Sequence, residues 1–187
     1  MDTRLNELRA QIGAIDREIV AALAQRSRLC GPNRTPPSPP AASAAAIDGD
    51  SFAARVQAEY AHVVAEKLLS RMTSADDEAA CKAADCAIVE AVCRRMRVAL
   101  DVARAKAAGQ SPQFRALVAA RDAAGLEQAI TQPAVEEQVI ARALTIAREL
   151  SSSDLSANFP DTVAAIYREW IIPLARRVQV EALLAGK

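Results

Sequence analysis

The chain has 187 residues, enough for one domain with a core of its own. Lys plus Arg and Asp plus Glu number 23 each, so the formal net charge is zero, which argues against a whole-chain nucleic-acid binder or an acidic tail protein. Aromatics make up only 3% and glycines number 6 in an alanine-rich chain, a helix-forming composition with little to build sheets from, and the expected fold class is all-α.

The first segment, Thr3 to Leu29, predicts a helix. Leu5, Leu8, Ile12, Ile15, Ile19, Ala22, Leu23 and Leu29 follow the 3.6-residue period, Asp2 or Thr3 can cap the start and Gly31 can end it. Pro32, Pro36, Pro37, Pro39 and Pro40 follow, then an Ala/Ser stretch to Asp50. Proline lacks a donor and fixes φ, so residues 31–50 are expected to be an extended linker. A second helix is expected from Phe52 to Met72. Ser74 with Asp77 resembles a capping box for a long third helix ending at Ala108, with Gly109 as its stop. Ser111-Pro112 opens a helix from Gln113 to Ile130, interrupted near Gly125. Pro133, with Glu136 and Glu137 behind it, starts a helix to Leu150. The last helix runs from Pro160 to Leu184, with a core stripe of Val163, Ile166, Tyr167, Trp170, Leu174 and Val178 and a kink at Pro173. The division expected is an N-terminal helix at 1–30, the linker at 31–50 and a helical domain at 51–187.

No run of 18 apolar residues exists, so no membrane span is expected, and the charged N-terminus reads as no signal peptide. The cytoplasm is the default location. Cys30, Cys81, Cys86 and Cys93 are read as small apolar packing residues in a reducing compartment, and none has zinc-finger spacing. His62 is the single histidine and is read as a helix-surface residue, so chemistry needing a histidine base or two histidine ligands has little support. No metal and no cofactor are expected.

A repeat runs through the two longest predicted helices. Asp16-x-x-Ile19-Val20-x-Ala22-x-x-x-Arg26-x-Arg28 recurs as Asp85-x-x-Ile88-Val89-x-Ala91-x-x-x-Arg95-x-Arg97.

Three features could carry chemistry. Arg95 and Lys106 fall on nearly the same helix face, about 16 Å apart along the axis, and can grip opposite ends of a small dianion. Solvated surface charge is the plainer explanation for either residue alone. Gln179 follows the basic pair Arg176-Arg177; if buried it needs partners, and a ligand oxygen is one. Glu136 stands at the acidic start of the Pro133 helix, where it is equally explained by the helix dipole.

The pattern Leu5-x-x-Leu8-Arg9-x-x-Ile12-x-x-Ile15-Asp16-x-x-Ile19-Val20-x-x-Leu23-x-x-Arg26 resembles the opening helix of the all-α chorismate mutases. So does Ala84-Asp85-Cys86 through Arg97, and this copy continues through Arg104-Ala105-Lys106. Pro133-x-Val135-Glu136-Glu137-x-Val139-Ile140-x-Arg142 resembles that family's second helix, and Tyr167 through Pro173-Leu174-x-Arg176-Arg177-x-Gln179 its third. The resemblance implies a helical bundle and conversion of chorismate, a small dicarboxylate, to prephenate without a cofactor. It implies substrate-gripping roles for Arg95 and Lys106, an ether-oxygen donor in Gln179 and a substrate contact at Glu136. Departures are Ala175 for a serine, Val135 for an arginine and Gln132 for an acidic residue, with Gln132 kept as a substrate-binding candidate. The arginine that reaches the partner subunit's site would fall at Glu78, whereas the first copy has Arg9 there. An entwined homodimer is expected, because the long helices carry stripes too wide for one subunit to cover. An isochorismate-pyruvate lyase, an aminodeoxychorismate mutase or a non-catalytic helical binding module are the competing readings.

Overall fold

The computed structural model describes residues 2–29, 54–60, 62–63, 78–107, 112–151 and 155–186. Among the described residues there are helices and short turns and no strand. The helices are α1 (Asp2–Leu29), α2 (54–60), α3 (Glu78–Ala107), α4 (Pro112–Ala119), α5 (Ala123–Ile130), α6 (Pro133–Leu150), α7 (Phe159–Ile166) and α8 (Ile172–Leu184). A π-turn, Tyr167–Ile171, joins the last two.

The two repeat helices, α1 and α3, share the largest helix interface. They run antiparallel, as their cross-contacts show: Arg26 bonds Asp85 near one end, and Arg95 bonds Asp16 further along. The apolar stripe read from α1 is what holds it there. Leu8, Ile19, Val20 and Leu23 are buried, and Ile19 and Leu23 pack in one core with Ile88, Val92 and Met96 of α3. Arg17 on Glu149 and Arg28 on the Leu150 carbonyl tie α1 to the end of α6 as well. The apolar stripe of α1 is therefore covered within the chain.

The last helix delivers all six stripe residues, Val163 to Val178, to the same core. Pro173 stands in the first turn of α8. Proline has no N–H and its ring crowds the preceding turn. The backbone answers with the π-turn just before it, in which the Ile172 N–H bonds the Tyr167 carbonyl, and the helix continues as α8.

The break in the 113–130 segment comes earlier than Gly125. It falls at Ala120–Asp122, where Arg121 takes φ 54°. Asp122 then caps α5 by accepting the Gly125 N–H at 2.9 Å. Gly125 matters for space: a Cβ there would lie 2.5 Å from the Asp122 carboxylate and 2.8 Å from Leu117. Phe114, Leu126 and Ile130 form a second small core with Ala103, Val180 and Leu183 at this end of the bundle.

Part of the expected second helix is helical, at 54–60 and 62–63. Val56 and Tyr60 are buried, and Arg55 grips both carboxylate oxygens of Glu181 at 2.9 Å. His62 is exposed on this segment, as expected. The linker at 31–50 and the Ser74–Asp77 capping box lie outside the described residues.

The cysteine reading needs correction at one position. Cys86 and Cys93 are free thiols, and burial pushes both up from the ordinary thiol range. Cys81 is disulfide-bonded, with its Sγ 3.4 Å from the Leu29 carbonyl at the end of α1. Rigid spacing on one helix disfavours pairing among Cys81, Cys86 and Cys93 and leaves pairing with a distant cysteine open. Disulfides belong mainly to oxidising compartments, so the cysteines no longer argue for the cytoplasm.

Candidate active site

A cavity of about 310 Å³ opens where α1, α3, α6 and α8 converge, with the end of α5 beside them. Its size suits a small organic ligand. Each wall is one face of a helix. α1 offers Leu5, Arg9 and Ile12, and α3 offers Arg95, Ala99 and Val102, both at i, i+4, i+7 spacing. The opening of α6 brings Gln132, Val135, Glu136 and Val139, and α8 brings Ile172, Ala175, Arg176 and Gln179.

Five of the six candidate residues thus line one space: Arg9, Arg95, Gln132, Glu136 and Gln179. Lys106 belongs to the last turn of α3, and its side chain lies outside the described residues. Gln132 is the N-cap of α6, yet its side chain makes no capping bond, which leaves the amide to the cavity. Arg9 is exposed, with its Nη1 donating to Asn6 at 3.2 Å. Arg95 is its opposite, only 4% exposed. Its Nε donates to Asp16 Oδ1 at 2.8 Å, and the Tyr167 hydroxyl donates to the same oxygen at 3.1 Å. Burial, with Asp16 as the second cause, pushes the Tyr167 phenol well above its ordinary value, so it stays a neutral donor. Holding Nε leaves the two Nη groups as the edge that can meet a ligand carboxylate.

Two contributors were not singled out from the sequence. Asp16 is fully buried and anchors Arg95. Arg176 sits in the cavity wall, with Nε and Nη2 on the two oxygens of Glu136 at 2.8 and 2.5 Å. Spacing could have found Arg176: it stands three residues before Gln179, on the same face of α8. Arg177 points elsewhere, to Glu59 of α2, which also accepts the Trp170 indole N–H at 3.1 Å.

The repeat makes the Arg95 arrangement twice. Arg26 donates from Nε to Asp85 Oδ1 at 2.6 Å, and the Tyr60 hydroxyl donates to that same oxygen. The copies are therefore related by a local two-fold operation that exchanges α1 and α3, a single chain built like a symmetric pair.

An all-α bundle with a dicationic, partly apolar cavity between two repeated helices is the architecture these observations define. The family model for chorismate mutase type II matches residues 79–180, from the first turn of α3 into α8, and the chain belongs to that family. Among curated relatives, chorismate mutase of Schizosaccharomyces pombe is 29% identical over 132 residues, covering 67% of this chain and 53% of the relative. The chloroplastic chorismate mutase 1 of Petunia hybrida is 31% identical over 134 residues, covering 64% of this chain and 41% of the relative. The chain therefore spans about half, or less, of the length of these relatives. In fold it is similar to the crystal structure of a Candida albicans chorismate mutase in complex with L-Trp, with a TM-score of 0.76 and 19% identity across 97% of this chain and 91% of that one.

Proposed function

We propose that this chain converts chorismate to prephenate. The observation that carries the reading is the convergence of Arg9, Arg95, Glu136 and Gln179 on one small cavity. Chorismate carries two carboxylates, which arginine forks meet bidentately. Its rearrangement is pericyclic and needs no nucleophile or general base. The site's work is to hold a compact conformer and to place a donor at the ether oxygen as charge develops there. The Gln179 amide is that donor, Arg95 and Lys106 are the gripping cations, and Arg9, Gln132 and Glu136 complete the contacts.

The direct test is loss of chorismate with matching appearance of prephenate. Loss with release of pyruvate or of an aminated isomer from the related substrates would assign the altered-chemistry reading, which Val135 and Gln132 favour by departing from the family pattern. Gln179→Ala should lower kcat far more than it raises KM. Gln179→Glu should be poor at pH 7.5 and recover as pH falls and its carboxyl gains a proton to donate. An unchanged kcat in Gln179→Ala removes the ether-oxygen role.

A homodimer belongs to the proposal as an assembly, tested by sedimentation. All the residues named for the cavity come from one chain, so turnover per chain should not fall on dilution. Location is tested by thiol trapping in freshly lysed cells: a Cys81 open to alkylation places the protein in a reducing compartment such as the cytoplasm, and a Cys81 protected by its disulfide places it in an oxidising one.

A further inference from the structure

Glu136 poses a problem that its neighbours reveal. A carboxylate in a cavity that offers Arg9 and Arg95 to a dianion is a competitor for those arginines. If its side chain could swing, it would pair with one of them and cancel a charge the ligand needs. The sequence adds to the problem, because Val135 stands beside Glu136 where the family resemblance calls for an arginine.

The structure holds Glu136 from another helix. Arg176 approaches from α8 and takes both carboxylate oxygens. This is the fork-on-fork geometry that fixes a carboxylate most firmly in place. Its third nitrogen, Nη1, lies 3.9 Å from Glu127 of α5, so acidic groups from two helices keep the guanidinium at this wall. The hydrogen bond to Glu136 raises Arg176 above the ordinary guanidinium range, consistent with a permanent cation. A carboxylate oxygen gripped on one side still has lone pairs for a ligand hydroxyl.

We propose that Arg176 is a positioning residue: it pins Glu136 against the α6–α8 wall as a hydroxyl acceptor and keeps it off the arginines that bind the substrate's carboxylates. This rests on the chorismate reading. Arg176 takes over from across the cavity the counter-charge missing at Val135.

The proposal predicts a suppressor. Arg176→Met frees Glu136 and should raise KM by about 10–100-fold, the loss of a charged contact to substrate. Adding Glu136→Gln to Arg176→Met should bring KM back to that of Glu136→Gln alone, since an amide cannot neutralise an arginine. Arg176→Lys should fall between wild type and Arg176→Met, because a point charge restrains without a fork. Arg177→Met breaks the neighbouring ion pair to Glu59 on the same helix and should leave kinetics unchanged. Melting curves establish that each variant is folded. A double variant worse than either single one means that Arg176 contacts substrate itself, and a wild-type KM in Arg176→Met means that it positions nothing; either result overturns the proposal while the chorismate reading stands. If the wild type does not turn over chorismate, that reading fails, and calorimetric titration with chorismate reads the same variants. Weakening by Arg176→Met and recovery in the double variant then support the pinning role. Equal affinities across the set, or no binding by the wild type, overturn it.

Discussion

The two buried triads of the molecule are built alike and situated differently. Arg95, Asp16 and Tyr167 form one, and Arg26, Asp85 and Tyr60 the other, each with a guanidinium Nε and a phenol hydroxyl on the same carboxylate oxygen. The arginines are 4% and 5% exposed, so neither triad is a surface ion pair. Only the first abuts the cavity described above: Arg95 is in its wall, with Arg9 of α1 contributed from the same chain. A buried ion pair is weak evidence of stabilisation, because desolvation consumes most of what attraction returns. The shared triad therefore explains how α1 and α3 find their register, and what lies around it decides whether its arginine can also meet a ligand.

The sharpest way to break this comparison is to remove each arginine. Arg95→Met and Arg26→Met should both lose stability, by about 3–5 kcal/mol, because each strands a buried carboxylate. Only Arg95→Met should lose chorismate turnover, with kcat/KM down by about 100-fold or more, as expected for a bidentate charged contact. Urea unfolding and kinetics on the same preparations check both halves. Comparable loss of activity in Arg26→Met would dissolve the distinction.

A smaller effect should follow from the carboxylates. Asp16→Asn and Asp85→Asn keep the shape and remove the charge. Both should unfold at lower urea than wild type, by similar amounts. Asp16→Asn should also cost about 10-fold in kcat/KM, since Arg95 loses the charged anchor that aims it. Asp85→Asn should keep wild-type kinetics.

The smallest effect sharpens the likeness instead of the difference. The chain has only two tyrosines, and each belongs to one triad. Burial raises both phenols above their ordinary value, with the triad aspartate as the next cause. Above about pH 10 an unfolded tyrosine has lost its proton while the folded one keeps it, so the native state binds more protons and stability falls as pH rises. The slope is about 1.4 kcal/mol per pH unit for each tyrosine, and below pH 10 the contribution is complete and constant. Tyr60→Phe and Tyr167→Phe should each remove the same share of that alkaline slope in denaturation curves between pH 10 and 11.5.

Much of this was legible in the chain because helical periodicity, proline starts and the repeat all point one way. The α1 stripe, the α6 start at Pro133 and the buried face from Val163 to Val178 are local patterns, and the repeat already holds the aspartate and the arginine of each triad. Contacts between elements were harder to read. Which of Arg176 and Arg177 faces the cavity depends on the rotation of α8. The α1 stripe calls for a partner helix, but antiparallel pairing across the intervening residues leaves no local mark that names α3 as that partner. Gly125 was taken as a helix breaker, when its role is to let Asp122 and Leu117 come close. The disulfide at Cys81 leaves no local mark in the sequence.

The π-turn before Pro173 has a consequence for how the last helix divides its labour. It holds one residue more than an α-turn, and one residue rotates everything downstream by about 100° about the axis. Tyr167 and Trp170 face the core while Ala175, Arg176 and Gln179 face the cavity. These are two faces of one helix, and Leu174 and Val178 of α8 keep to the core face beyond the turn. α8 thus packs on one face and serves the site on another, and the turn before it sets both at once. Deleting a single residue from 167–171 would leave α7 seated and turn Leu174 and Val178 off the core together with Gln179 off the cavity, so that the length of this segment, more than the identity of its residues, sets the orientation of α8.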